Sequence, residues 1–238
     1  MINYLANPKR FLKFSKVIQP LLGYSSLILI TIGLYFSLLD SPVDYQQGHT
    51  VRIMYVHVPS AWLASILYFA MAGCATVFLI WKHPLADVSA RCIAPVGLIF
   101  SLLTLITGSL WGKPMWGTWW VWDARLTSML ILTIFYISYI GLSNAFENER
   151  DGSKPASVLS ILGAINLPII KFSVDWWNTL HQPSSILRMD GPSISNEMLL
   201  PLLFMLIGFF CLATYIIIIN IKIKLMIKKL KKSNVRLG

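Results

Sequence analysis

Two histidines and a dense run of tryptophans are the side chains in this sequence best equipped for chemistry. His57 stands in Tyr55-Val56-His57-Val58-Pro59-Ser60-Ala61-Trp62, and His181 in Trp176-Trp177-Asn178-Thr179-Leu180-His181-Gln182-Pro183. Between them, residues 111–125 hold five of the nine tryptophans, with Gly112, Pro114 and Gly117 interspersed. Indole offers a broad apolar face and one N–H donor, so such a cluster suits a flat, amphipathic partner. It also suits an aromatic belt where spans meet headgroups, although a belt needs neither this density nor the glycines. Two neutral imidazoles at one level can clamp an octahedral metal from opposite faces of a planar ligand, the way axial nitrogens hold haem iron. The plainer alternative is that each histidine snorkels or caps a helix end.

Other residues in these segments fit the same chemistry. Trp116, Trp119 and Trp120 fall at i, i+3 and i+4, so a helical turn here predicts their indoles on one face, against a porphyrin or against neighbouring spans. Arg125 and Arg52 are cations suited to bidentate carboxylate contacts such as haem propionates, and headgroup phosphates compete for them. Asp123 precedes an apolar run closely enough to act as a helix N-cap, as an alternative to touching a cofactor. His49 is a rival ligand further from any span, and His83 falls on the other side of the membrane. Cys74, Cys92 and Cys211 lie in or beside apolar runs without metal-ligand spacing and read as small buried hydrophobes.

The elements that must position these residues are membrane helices. Of 238 residues, 56% are hydrophobic and 13% charged, with a mean hydropathy of +0.66. A span needs about 20 apolar residues to cross a core of about 30 Å. Six runs meet that length, at about 20–39, 58–81, 92–110, 126–145, 156–174 and 197–220, with a kink expected at Pro168. The fold expected is therefore an all-α membrane protein of six transmembrane helices forming one polytopic domain over 1–238. The first run lacks a small-residue cleavage site and reads as a retained anchor.

Charge fixes the orientation expected for these spans. An even number of spans puts both termini on one side, and 15 of the 20 Lys and Arg residues fall on that side. The positive-inside rule makes it the cytoplasmic side. The segments 40–56, 111–125 and 175–195, with Arg188 in the last, then face outward, and the tryptophan-rich loop joins helices 3 and 4. The net charge of +10 is concentrated at the two ends, as expected for contact with anionic lipid and not nucleic acid. There is no phosphate-binding loop, so coupling to ATP would fall to a partner.

The pattern Trp-Gly-x-Pro-x-Trp-Gly-x-Trp-Trp-x-Trp-Asp-x-Arg-x-Thr-Ser at 111–128 resembles the tryptophan-rich signature of haem-handling proteins of cytochrome c maturation. The segments around His57 and His181 resemble the two histidine segments of the haem exporter protein C (CcmC) family, and six spans in this length fit it too. The resemblance covers essentially the whole chain. It implies a non-covalently held b-type haem with His57 and His181 as axial ligands, and Trp116, Trp119, Trp120, Trp122 and Asp123 as its platform. It further implies presentation of haem to the periplasmic chaperone CcmE for covalent attachment. The implied setting is the bacterial inner membrane, or its mitochondrial counterpart, beside the ABC-type subunits CcmA and CcmB and the small protein CcmD.

The function expected is thus haem binding and delivery at the outer membrane face. No acid–base pair or nucleophile marks the chain as an enzyme in its own right. Two rivals are a b-type electron-transfer cytochrome, which buries its histidines within spans, and a small-molecule transporter, which calls for polar or broken helices near the midplane.

Overall fold

The computed structural model describes residues 7–182, 185–186 and 191–234, with side chains as far as residue 230. Pro183, Arg188 and Arg236 lie outside the described residues. The described residues are mostly helical, with α1 Pro8–Tyr35, α2 Met54–Trp81, α3 Pro84–Trp116, α4 Ala124–Asn144, α5 Glu149–Ala164, α6 Asn166–Trp176 and α7 Asn196–Asn234. Among the described residues, six helical stretches are long and apolar enough to cross a membrane, with α5 and α6 together making the fifth.

The helices outrun the apolar runs that predicted them. Lys9 to Lys16 belong to α1, and Lys222 to Lys229 to α7. Long basic side chains keep their charged heads in water while their stems lie along apolar surface, so a helix continues past the hydrocarbon edge. Local chemistry sets the ends. Asn7 caps α1, its side chain accepting from the Lys9 N–H, with Pro8 in the first turn where its missing N–H costs nothing. Lys82, in the left-handed region at φ 52°, ends α2.

The fifth span breaks at Ile165, three residues before the kink expected at Pro168. The physical reason lies in the proline ring. It has no N–H to donate four residues back and crowds the carbonyl of Ala164, so the disruption appears one turn upstream. Asn166 sits buried at this break and donates from Nδ2 to the Ser128 carbonyl at 2.8 Å, which ties the broken span to α4.

Helices in lipid gain little from the hydrophobic effect against one another, so close packing and internal hydrogen bonds hold them together. The centre is built by Leu63, Leu67, Tyr68 and Met71 of α2, Ile93 and Phe100 of α3, and Leu132, Tyr136 and Tyr139 of α4. Tyr136 crosses α3 at Gly97, where a Cβ would come within 2.2 Å of the phenol, and donates to the Ala64 carbonyl at 2.8 Å. One glycine thus lets three helices meet. α1 packs chiefly against α7.

The two ends of the bundle differ in kind. At one end the buried Arg91 pairs with Asp87 at 3.2 Å and donates to the Ser143 carbonyl, the Glu149 carbonyl and Ser153 Oγ. Lys228 joins Glu149 there at 2.9 Å, and Lys222 contacts Gln19. At the other end a second cluster of Val51, Met54, Tyr55, Met198, Leu202 and Met205 seats the start of α2 against the start of α7. The candidate site lies at this second end.

Candidate functional site

The tryptophan stretch is divided by Gly117, whose φ of 74° ends α3 and returns its N–H to the Lys113 carbonyl at 3.0 Å. Residues 117–123 then run without helix to Asp123, which caps α4 by accepting the Leu126 N–H at 2.8 Å. The helical turn expected to align Trp116, Trp119 and Trp120 is therefore absent. Glycine adopts the left-handed region at no steric cost, so the sequence itself placed a helix stop inside the pattern.

This break sorts the indoles. Trp116 and Trp120 line a cavity of about 490 Å³, together with Trp62 and Trp111. Trp119 and Trp122 do not, and they are 54% and 75% exposed. Lys113 Nζ stands 5.8 Å over the Trp119 ring, and Trp122 meets the edge of Trp120 at 5.5 Å. Trp120 Nε1 is buried without a hydrogen-bond partner.

His57 and His181 line the same cavity. His57 lies in the first turn of α2 and is only 8% exposed. Its Nδ1 is 3.0 Å from Thr107 Oγ1 on α3, and Trp111 presents an edge to its ring at 5.7 Å. His181 comes from the segment after α6, partly buried, with Trp116 at 6.5 Å between ring centroids. The two imidazoles are 6.4 Å apart, centroid to centroid, with 32° between their planes. Histidines 124 positions apart in sequence are thus brought to one cavity wall. Burial holds the His181 pKa below its ordinary value of 6.5, and the adjacent Arg125 guanidinium lowers it further.

The cations divide as the indoles do. Arg125 lines the cavity, donating from Nε to Ser173 Oγ at 3.1 Å and standing 3.4 Å from His181 Nδ1. Arg52 lies outside the lining, where its Nη2 reaches the Ser41 carbonyl at 3.3 Å and its Nε is buried without a partner. Asp123 also stands outside it, with Oδ2 buried and unpartnered beside the capping Oδ1. His49 opens the short turn before α2 and does not line the cavity.

Sequence reasoning did not single out several lining residues. Lys171 adds a second cation, and its carbonyl accepts from Arg125 Nη2 at 3.4 Å. Gln47 accepts the Trp111 indole N–H at 2.8 Å, and Asp44 fixes the Gln47 turn by accepting its backbone N–H at 2.7 Å. Gly108 lies against His57, where a Cβ would stand 3.1 Å from Cε1. Gln47 was visible as a polar residue beside a span and Lys171 as a cation near the end of the fifth apolar run, whereas nothing in an apolar run marks Thr107 or Gly108. The cavity wall is mainly apolar, and it also carries two imidazoles, the cations Arg125 and Lys171, and one carboxylate, Asp175.

The chain matches the family model for Heme exporter protein C over residues 1–236. It is 54% identical to Heme exporter protein C of Bradyrhizobium diazoefficiens over 205 residues, covering 86% of this chain and 78% of that protein. Against Heme exporter protein C of Escherichia coli it is 41% identical over 221 residues, covering 93% and 89%. A ccmC-like mitochondrial protein of cytochrome c biosynthesis from Marchantia polymorpha is 47% identical over 194 residues, covering 82% of each. Over nearly its full length, this chain belongs to the Heme exporter protein C family.

Proposed function

We propose that this chain binds haem as cargo between His57 and His181 and hands it on during cytochrome c maturation. The observation that carries the reading is the 6.4 Å separation of the two imidazoles. Two metal–nitrogen bonds of about 2.0–2.1 Å, with about 1.1 Å from each nitrogen to its ring centre, give about 6.3 Å. The ring spacing supports a shared iron, held with one nitrogen of each imidazole turned toward it.

The remaining lining residues support the same cargo. Trp116 and Trp120 give the porphyrin an apolar wall, and Trp120 Nε1 offers a donor with no partner of its own. Arg125 and Lys171 provide positive charge for the propionates. Trp119 and Trp122, exposed on the loop beyond the cavity, form the rim that meets cargo or acceptor. Asp123 holds that rim by capping α4. Arg52, in the turn before α2, stays outside the cavity wall and supplies at most long-range charge.

In this reading the site opens on the periplasmic face of the inner membrane, or on the equivalent face in mitochondria, with both termini cytoplasmic. The protein supplies position and electrostatics, while the chemistry of attachment belongs to haem and its acceptor. That acceptor is the chaperone CcmE, and CcmA, CcmB and CcmD complete the assembly. The test is transfer: haem-loaded protein in lipid nanodiscs is mixed with the soluble domain of CcmE, and haem on each is followed by its absorption. Haem moving to the chaperone supports delivery. Haem that stays bound, cycling only between oxidation states, overturns it in favour of a cytochrome.

A further inference from the structure

The surroundings of His57 decide which of its two nitrogens carries the proton. Nδ1 lies 3.0 Å from Thr107 Oγ1, with both residues buried. A hydroxyl has one proton, and that of Thr107 is committed: Oγ1 donates to the Leu103 carbonyl at 2.6 Å, with the Thr104 carbonyl at 3.3 Å. Back-bonding of this kind is the usual fate of a threonine hydroxyl within a helix. Toward His57, Thr107 Oγ1 can therefore act only as an acceptor, and Nδ1 must be the nitrogen that donates. In a neutral imidazole the other nitrogen then holds an unprotonated lone pair.

Two further contacts limit the ring to this pose. Gly108, the next residue on α3, leaves room for Cε1, since a Cβ there would stand 3.1 Å away. Trp111, one turn on from Thr107, closes another side with its ring at 79° to the imidazole. One turn of α3 thus supplies an acceptor, a gap and a wall to a single histidine on α2.

We infer that Thr107 is a positioning residue for His57, fixing it as the Nδ1–H tautomer with Nε2 free to ligate before any metal arrives. Thr107 is not among the residues lining the cavity. It acts through the imidazole, as outer partners of metal-bound histidines do when they fix tautomer and raise ligand basicity. His181 is arranged differently, because its Nδ1 faces both the Gln182 carbonyl at 3.1 Å and the Arg125 guanidinium at 3.4 Å. One ligand is set in advance, and the other depends on where Arg125 lies. The inference rests on the haem-binding reading for its consequence, but not for the tautomer itself.

The experiment has two arms. In the first, metal-free full-length protein is labelled with 15N-histidine, and the His57 signal among the four histidines is assigned by its loss in His57→Ala. The expected result is a protonated Nδ1 and an unprotonated Nε2; an Nε2–H tautomer overturns the inference. In the second, haem affinity and the low-spin spectrum are compared for native protein, Thr107→Val and Thr107→Ser. Thr107→Val is expected to bind haem about 10–100-fold more weakly, with Thr107→Ser restoring both affinity and spectrum. Native behaviour in Thr107→Val, or failure of Thr107→Ser to restore it, overturns the role. Should native protein take up no haem, the haem-binding reading falls, while the first arm still decides the tautomer.

Discussion

Arg125 Nη1 stands 3.4 Å from His181 Nδ1, a nitrogen that the Gln182 carbonyl also approaches to 3.1 Å. The two neighbours ask opposite things of it. The carbonyl needs Nδ1 to carry a proton, and the guanidinium needs it bare. Drawing Arg125 toward a carboxylate leaves the carbonyl in command and Nε2 of His181 open to a metal. On the haem-binding reading proposed above, Arg125 would link recognition of an anionic edge to the availability of the second imidazole.

This arrangement predicts a pH dependence. The His181 pKa lies below 6.5 in the folded protein, through burial first and Arg125 second. The unfolded chain takes up the proton more readily, so the stability His181 contributes is complete above pH 6.5 and declines as pH falls below it, down to the folded-state pKa. Protons compete with metal for the same nitrogen. Low-spin haem absorption is expected to hold steady from pH 8 through 6.5 and to decay only as pH falls to the lowered folded-state pKa of His181. Arg125→Gln, which removes a repelling charge, moves the decay to higher pH. An unshifted profile would contradict the coupling.

The cations that line the cavity should matter more than the one that does not. Arg125→Ala or Lys171→Ala is expected to weaken haem binding by about 10–100-fold, as loss of a charged hydrogen bond costs about 1.5–3 kcal/mol. Arg52→Ala should change affinity by less than about threefold, within the scatter of such contributions. Equilibrium haem titration distinguishes these outcomes.

Gly97 and Gly108, on one helix, predict different failures. A Cβ at Gly97 falls 2.2 Å from the buried Tyr136 ring, so Gly97→Ala must move a helix and should lower the thermal midpoint clearly. At Gly108 the nearest atom is His57 Cε1 at 3.1 Å, a contact that a small ring shift relieves. Gly108→Ala should leave the midpoint almost unchanged and weaken haem binding. Thermal unfolding in detergent, alongside haem titration, separates the two.

Arg91 anchors the opposite end. It is buried with Asp87 and donates to groups on α4 and α5, so Arg91→Ala strands a buried carboxylate. Breaking such a pair costs about 3–5 kcal/mol. Arg91 precedes Thr107 by 16 positions on α3, about 24 Å at 1.5 Å per residue. Loss of folded protein with a native haem spectrum in what remains is the expected outcome.

Span number and helix type were legible in the apolar runs, because a helix in lipid must satisfy its own backbone and so needs an uninterrupted stretch. The Asp123 cap was legible too, from its place before an apolar run. The fate of the tryptophans was not. Their i, i+3, i+4 spacing suggested one helical face, but Gly117 ends the helix, and of those three only Trp116 and Trp120 reach the cavity wall. Arg52 and Arg125 looked equivalent as outward cations, yet only the second comes from the start of a helix that borders the cavity. Thr107 could not be found from spacing, since its role exists only once α2 and α3 are side by side.

The central claim is that His57 and His181 hold one iron between them. It is tested most directly by electron paramagnetic resonance and visible spectra of ferric haem-loaded protein, His57→Ala and His181→Ala, each with and without added imidazole. The account predicts a six-coordinate, low-spin signal in native protein, its loss in either variant, and its return when imidazole fills the vacated position. A low-spin signal that survives in both variants would contradict it.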